Sequence, residues 1–137
     1  MIWSTMRRVE YRHCDPAGIV YYPRYFEMLH SVVEEFFRDH LGYAYGDMHR
    51  QAGRDVTQAR IKVDFIAAGS FEDELEFALE ISGMTASDMA LEITCAKSGQ
   101  PRFKASATLV HTDIATRAPC PWPSEISARF TDGGNHV

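Results

Sequence analysis

The sequence predicts an α+β domain in which one long apolar helix packs against an antiparallel sheet of about five strands. Three observations carry this. A single segment, from between Ile19 and Pro23 to about Leu41, repeats its large apolar residues at helical spacing. Four later segments alternate apolar and polar residues with a period of two, the signature of half-buried strands. The length of 137 residues is that of one ordinary domain, with little left for a second core.

Taken in order, Arg7 to Arg12 alternates, with Val9 and Tyr11 on one side and Arg8, Glu10 and Arg12 on the other, and reads as a short strand. His13-Cys14-Asp15-Pro16-Ala17-Gly18 follows. Pro16 disfavours the helical conformation at Asp15, and Gly18 permits backbone angles closed to other residues. Pro23 suits the first turn of the helix. Phe26, Leu29, Val33, Phe36, Phe37 and Leu41 form its apolar stripe, and Gly42 sits where a stop is expected. A shorter helical turn is predicted over Tyr45–Ala52, closed by Gly53. The strands then carry Ile61, Val63 and Phe65; Leu75, Phe77, Leu79 and Ile81; Met89, Leu91, Ile93 and Cys95; and Phe103, Ala105, Ala107 and Leu109. Turns are predicted at Gly83–Asp88 and at Ser98-Gly99-Gln100-Pro101. From about residue 114 the sequence is rich in proline, ends near Gly133-Gly134, and reads as an irregular strap. One helix cannot cover both edges of such a sheet, so pairing with a second copy is expected.

Bulk properties narrow the function. Hydrophobic residues make up 45% and charged residues 24%, as in water-soluble domains, and the formal net charge of -5 argues against nucleic-acid binding. No apolar run reaches membrane-span length, and the first residues lack the apolar block of a signal peptide, so the chain reads as cytoplasmic. Cys14, Cys95 and Cys120 cannot all pair within one chain and are read as reduced thiols. His30, His40, His49 and His111 have no metal-ligand spacing, so no metal is expected.

The densest polar cluster is Tyr11, His13, Cys14 and Asp15, then Gly18 and Tyr22. It places a carboxylate beside a helix start, where unpaired N–H groups can hold a carbonyl oxygen or an oxyanion. A thioester needs little beyond a polarised carbonyl and an activated attacker, because its leaving thiol is already acidic. A plain helix cap by Asp15 is the alternative. His13 either orients Asp15 or is exposed, Tyr11 either supports the loop through its hydroxyl or lies in the core, and Cys14 reads as a small filler more than as a nucleophile.

Tyr11-Arg-His-Cys-Asp15-Pro-Ala-Gly-Ile-Val-Tyr-Tyr-Pro-Arg-Tyr25 closely resembles the active-site segment of the 4-hydroxybenzoyl-CoA thioesterase family, and Phe71-Glu72-Asp73-Glu74-Leu75 resembles that family's entry into a central strand. The resemblance covers roughly Val9 to Thr112 and implies a hotdog fold, a curved sheet wrapped around the helix, with two chains joined edge to edge, active sites at their interface, and dimers that often pair further into tetramers. It implies that Asp15 is the catalytic carboxylate, that the backbone N–H of Tyr22 holds the thioester carbonyl, and that Gly18 lets the loop approach the acyl group. Tyr11 and His13 would adjoin the substrate, and Val56, Thr57 and Gln58 would face the acyl pocket from the other subunit. CoA enters as part of the substrate and leaves as product, not as a cofactor. The Gly83–Asp88 turn lacks the Lys or Arg expected near the CoA phosphates, so Arg54, Arg60, Lys97, Arg102 or Lys104 would have to serve. Two further readings of the same motif are a short-chain thioesterase of the Tol-Pal-associated type, which differs by having His where this chain has Tyr22, and a non-catalytic acyl-CoA-binding protein. A hotdog dehydratase would need a His partner that the helix entry lacks, and a purely structural protein would have no need of so polar a loop.

Overall fold

The computed structural model describes residues 2–134, with side chains described as far as Arg129. Five strands form one antiparallel sheet: β1 (Ile2–Arg8), β2 (Arg54–Phe65), β3 (Glu74–Met84), β4 (Asp88–Lys97) and β5 (Gln100–Asp113), in the order β1-β3-β4-β5-β2. The alternation read from the sequence sets which face is inward. Leu75, Phe77 and Leu79, then Met89, Leu91, Ile93 and Cys95, then Phe103, Ala105, Ala107 and Leu109 are all buried. Their polar neighbours Glu76, Glu92, Lys104 and Ser106 are exposed. Ser98 and Gly99 close the β4–β5 hairpin with φ of 48° and 80°, the paired left-handed geometry that suits a two-residue turn.

Helix α1 (Arg24–Glu35) lies against the inner face, burying Tyr25, Met28, Leu29, Val32 and Val33. Glu27, His30, Ser31 and Glu34 face outward, so the helix is amphipathic rather than buried all round. A wider π-helical turn, Phe36–His40, extends it, closed by the bond from Leu41 N–H to Phe36 O at 3.0 Å. Phe36 and Phe37 are thereby both buried, and Gly42 ends the run with φ of 68°. The second helical turn is α2 (Tyr45–Asp47) continued by a π-helical turn over Met48–Ala52, and the left-handed Gly53 closes it as predicted.

Two expectations are corrected. The first strand is Ile2–Arg8, and Tyr11–His13 is a 3-10 turn, so Val9 is fully buried while Tyr11 is exposed. The alternation across Glu10 mimics a strand, but the chain has already left the sheet. The strap after residue 114 ends at Pro123, and α3 (Ser124–Gly134) follows. Ser-Glu directly after the last proline is a helix-start composition that the surrounding prolines and glycines masked. Trp122 and Ile126 anchor this segment. The Trp122 ring stacks on His111 with centroids 4.7 Å apart, and its indole N–H donates to Asp88 O at 3.1 Å.

Phe37 joins these layers, with its ring 6.1 Å from Phe36, 5.5 Å from Tyr45 and 6.0 Å from Trp122. Phe37→Ala should therefore cost about 3–5 kcal/mol, read as a lower urea midpoint with an unchanged denaturant slope. A loss below about 1 kcal/mol would show that the helix and C-terminal segment do not share one core.

Candidate active site

The segment from His13 to Tyr22 doubles back on itself. Cys14 bridges Val20, Asp15 N–H donates to Ile19 O at 2.9 Å, and Tyr21 N–H donates to His13 O at 2.9 Å. Gly18 stands at the tip with φ of 80° and nothing near its missing Cβ, so glycine is required there by backbone angle rather than by crowding. The Asp15 carboxylate is held from within this loop. Its Oδ1 accepts the N–H of Ala17 at 2.9 Å and of Ile19 at 3.4 Å, while Oδ2 has no partner among the described residues. Asp15 does not cap α1, because the helix starts after Pro23 with no side-chain cap.

The backbone donors of this stretch are almost fully committed. Gly18 N–H goes to Asp15 O, Val20 N–H to Gly69 O, Arg24 N–H to Tyr21 O, Tyr25 N–H to Tyr22 O and Phe26 N–H to Pro23 O. Between Ala17 and Phe26, among the described residues, only Tyr22 keeps a backbone N–H without an acceptor. The arrangement therefore offers one fixed carboxylate oxygen and one open N–H at the entrance to a helix, whose dipole favours negative charge there.

Around the Tyr22 N–H the surface is aromatic. The Tyr22 side chain is 61% exposed and meets Phe65, itself 45% exposed, edge to face at 5.9 Å. Phe65 also touches Tyr25 at 5.7 Å and Phe26 at 6.4 Å. So much exposed apolar area beside an unpaired donor is a surface suited to cover by a ligand or a second chain.

The other expected residues fall out as follows. His13 is buried and does not reach Asp15; its Nδ1 accepts Glu10 N–H at 2.8 Å, closing the 3-10 turn. It lines a cleft of about 300 Å³ with Arg7, Arg8, Arg12, Glu27 and Met28, but neither Asp15 nor Tyr22 lines it. Tyr11 is neither in the core nor a hydroxyl support; its exposed ring packs on Phe71 at 5.9 Å. Burial first and then the charge of Asp15 push the Cys14 thiol above the usual range, which disfavours the thiolate that a nucleophile needs. Val56, Thr57 and Gln58 lie at the start of β2, opposite His111, Val110 and Leu109, whereas Phe65, the neighbour of Tyr22, is at its far end. One chain does not bring them to Asp15. Arg54 is tied to Asp113 at 2.7 Å and Lys97 to Asp73 at 2.9 Å. Arg102 sits where a bulge disturbs the β4–β5 register; its Nε is buried with no partner among the described residues, and its charge acts on Asp73 and Tyr25. Arg60 and Lys104 are exposed.

Sequence reasoning quoted Asp73 and Tyr25 within motifs but gave neither a role of its own. Asp73 Oδ2 accepts Ser70 N–H at 2.8 Å and Oδ1 meets Lys97, which together pin the 69–73 segment that carries the loop. The aromatic-x-Asp-x-Leu pattern was the available signal for Asp73. Tyr25 stood only at the end of the quoted loop motif, and nothing in its spacing marked its hydroxyl.

A family model described as the thioesterase-like superfamily matches residues 9–130. The chain is similar to the acyl-CoA thioesterase YbgC of Haemophilus influenzae, 22% identical over 123 residues, covering 90% of each. Among solved structures it is similar to a 1,4-dihydroxy-2-naphthoyl-CoA thioesterase from Synechocystis, with TM-score 0.86, 19% identity and coverage of 96% of this chain and 97% of the other. It is also similar to the 4-hydroxybenzoyl-CoA thioesterase from Pseudomonas sp. strain CBS-3, with TM-score 0.84, 19% identity and coverage of 93% and 97%. Five antiparallel strands around one long helix are thus the hotdog arrangement that the loop motif implied. Among the described residues, no helix is long and apolar enough to cross a membrane.

The buried histidines give this architecture a pH dependence. Burial lowers the pKa of His13, of His40 and of His111, below the usual value near 6.5. The unfolded chain therefore takes up protons first, so stability is fully present above about pH 6.5 and is lost as pH falls through the folded values. Denaturant midpoints should drop between pH 7.5 and 5.5, and His13→Gln should flatten the slope. A midpoint that rises over that range would contradict this assignment.

Proposed function

The chain belongs to the thioesterase-like superfamily, and from that membership we propose that it hydrolyses an acyl-CoA thioester to the free acid and CoA. The observation that carries the proposal is that, among the described residues, Tyr22 has the one uncommitted N–H between Ala17 and Phe26, on the same short segment as a carboxylate whose Oδ1 is anchored and whose Oδ2 has no partner.

In this mechanism the thioester carbonyl oxygen accepts the Tyr22 N–H. As the carbonyl carbon becomes tetrahedral, negative charge grows on that oxygen, and the fixed N–H and the helix start stabilise it without reorganising. Oδ2 of Asp15 either attacks the carbonyl carbon or removes a proton from an attacking water. Direct attack expels CoA as its thiolate and leaves an acyl-aspartyl anhydride, which water cleaves to the acid and the restored carboxylate. Through the base route, water supplies the oxygen and Asp15 passes the proton to the departing sulfur. Neither route needs a strong general acid, because the thiolate is a good leaving group.

A second copy is part of the proposal. β2 is an edge strand whose residues from Thr57 to Arg60 are exposed. If two β2 strands pair antiparallel about a two-fold axis, the Val56–Gln58 end of one runs beside the Phe65 end of the other. The three residues stranded within one chain would then adjoin Tyr22 of the second, which supports a homodimer with shared sites. Phe65, Tyr22 and Phe26 would offer rings to an aromatic acyl group, edge to face. Arg60 and Lys104, exposed and, among the described residues, outside the ion pairs that occupy Arg54 and Lys97, are available to meet the CoA phosphates.

Thiol release should be measured across short, long and aromatic acyl-CoAs. Asp15→Asn, which keeps an oxygen for the Ala17 and Ile19 amides, should lower kcat by at least about 100-fold while the melting temperature stays close to the parent's. Near-normal turnover in that variant would remove Asp15 from the mechanism.

A further inference from the structure

Tyr25 is 2% exposed, and its ring packs on Phe65 at 5.7 Å and on Phe103 at 5.2 Å. Phenylalanine would meet both contacts, so the core does not explain the hydroxyl. Its partner does: Gly69 N–H donates to Tyr25 Oη at 2.7 Å, in a buried bond between residues 44 apart in sequence. Gly69 is held from the other side as well, its carbonyl accepting Val20 N–H at 2.9 Å, and Val20 bridges Cys14, the residue before Asp15. A second feature fits the same contact. A Cβ on Gly69 would stand 3.2 Å from Tyr25 Oη and 3.4 Å from Val20 Cγ2, a tight fit in which backbone, hydroxyl and Val20 approach closely.

We propose that the Tyr25 hydroxyl is a positioning group: through Gly69 and Val20 it fixes the Asp15 loop against the first turn of α1, and so sets the carboxylate relative to the Tyr22 N–H. This rests on the site reading given above. Tyr25 touches no reacting atom. It acts because the two catalytic elements lie on one doubled-back segment, braced within itself by the Asp15–Ile19 and Tyr21–His13 backbone bonds, and the Tyr25 hydroxyl ties Gly69, which holds that segment through Val20, to α1. Releasing the clamp lets the loop shift against the helix while substrate still finds its apolar and CoA-binding surfaces, so the loss falls on kcat rather than KM. Misplacement by about an ångström is enough for a loss of roughly 100-fold.

The test is Tyr25→Phe in the full chain. Turnover of the best acyl-CoA substrate should fall about 10- to 100-fold in kcat with KM within about 2-fold. Amide hydrogen exchange should quicken at Gly69 and Val20 while the amides of β4 stay unchanged. Gly69→Ala, which pushes on the same contact from the other side, should move kcat in the same direction. In the Asp15→Asn background, adding Tyr25→Phe should cause no further loss, because a positioning group has nothing left to position. Unchanged kcat in folded Tyr25→Phe, a loss carried wholly by KM, or full additivity with Asp15→Asn would each overturn the proposal. If instead the parent hydrolyses no acyl-CoA, the site reading fails, and exchange alone decides the clamp: unaltered Gly69 and Val20 amides in Tyr25→Phe would overturn it.

Discussion

A loop that satisfies its own backbone is the constraint on which the site depends. From Ala17 to Phe26 the N–H groups are taken up by Asp15, Gly69, His13 and the opening helix turn, and the exception among the described residues is Tyr22. An exposed N–H in an otherwise saturated segment loses little by waiting for a ligand, since water satisfies it meanwhile. The same saturation fixes its direction. A donor that is free in bonding but not in position is what an oxyanion site requires, and Asp15 shows the complementary division, with one oxygen anchored and one left over.

That loop is rigid only because the rest of the fold holds it. Its outer side hangs on the 69–73 segment through Gly69, Ser70 and the Phe71 N–H, which donates to Gly18 O. Asp73 pins that segment, and Val9, just past the end of β1, closes it with bonds in both directions at 2.8 and 2.9 Å. Beneath it α1 presses Tyr25, Met28 and Leu29 into the sheet. Packing of apolar side chains on a twisted sheet is the source of stability, and the polar loop uses that stability to hold a geometry it could not hold alone.

Much of this was readable in the amino-acid sequence, for reasons of periodicity. Alternating Leu75, Phe77 and Leu79, or Met89, Leu91 and Ile93, have one way to bury their apolar face, and the long stripe from Phe26 to Leu41 has another. The roles given to Asp15, Gly18 and Tyr22 came from the resemblance of the loop motif, because the local pattern alone left a helix cap as the reading for Asp15. What was not legible depended on how segments distant in sequence meet. His13 turned inward to serve Glu10 because the chain left the sheet before Tyr11, a step that alternation cannot reveal. Arg102 sits at a bulge, and α3 follows a proline-rich stretch that read as an irregular strap to its end. The Tyr25–Gly69 bond spans 44 residues and has no local signature.

The central claim is that the substrate carbonyl takes the Tyr22 N–H beside the Asp15 carboxylate. It is tested most directly by binding a non-hydrolysable acyl-CoA, with a methylene inserted between sulfur and carbonyl, to isotopically labelled protein and following the backbone amides. The account predicts that the Tyr22 amide proton moves downfield and becomes slow to exchange on saturation, and that Asp15→Asn leaves this shift in place. Saturable binding with an unmoved, freely exchanging Tyr22 amide would contradict it.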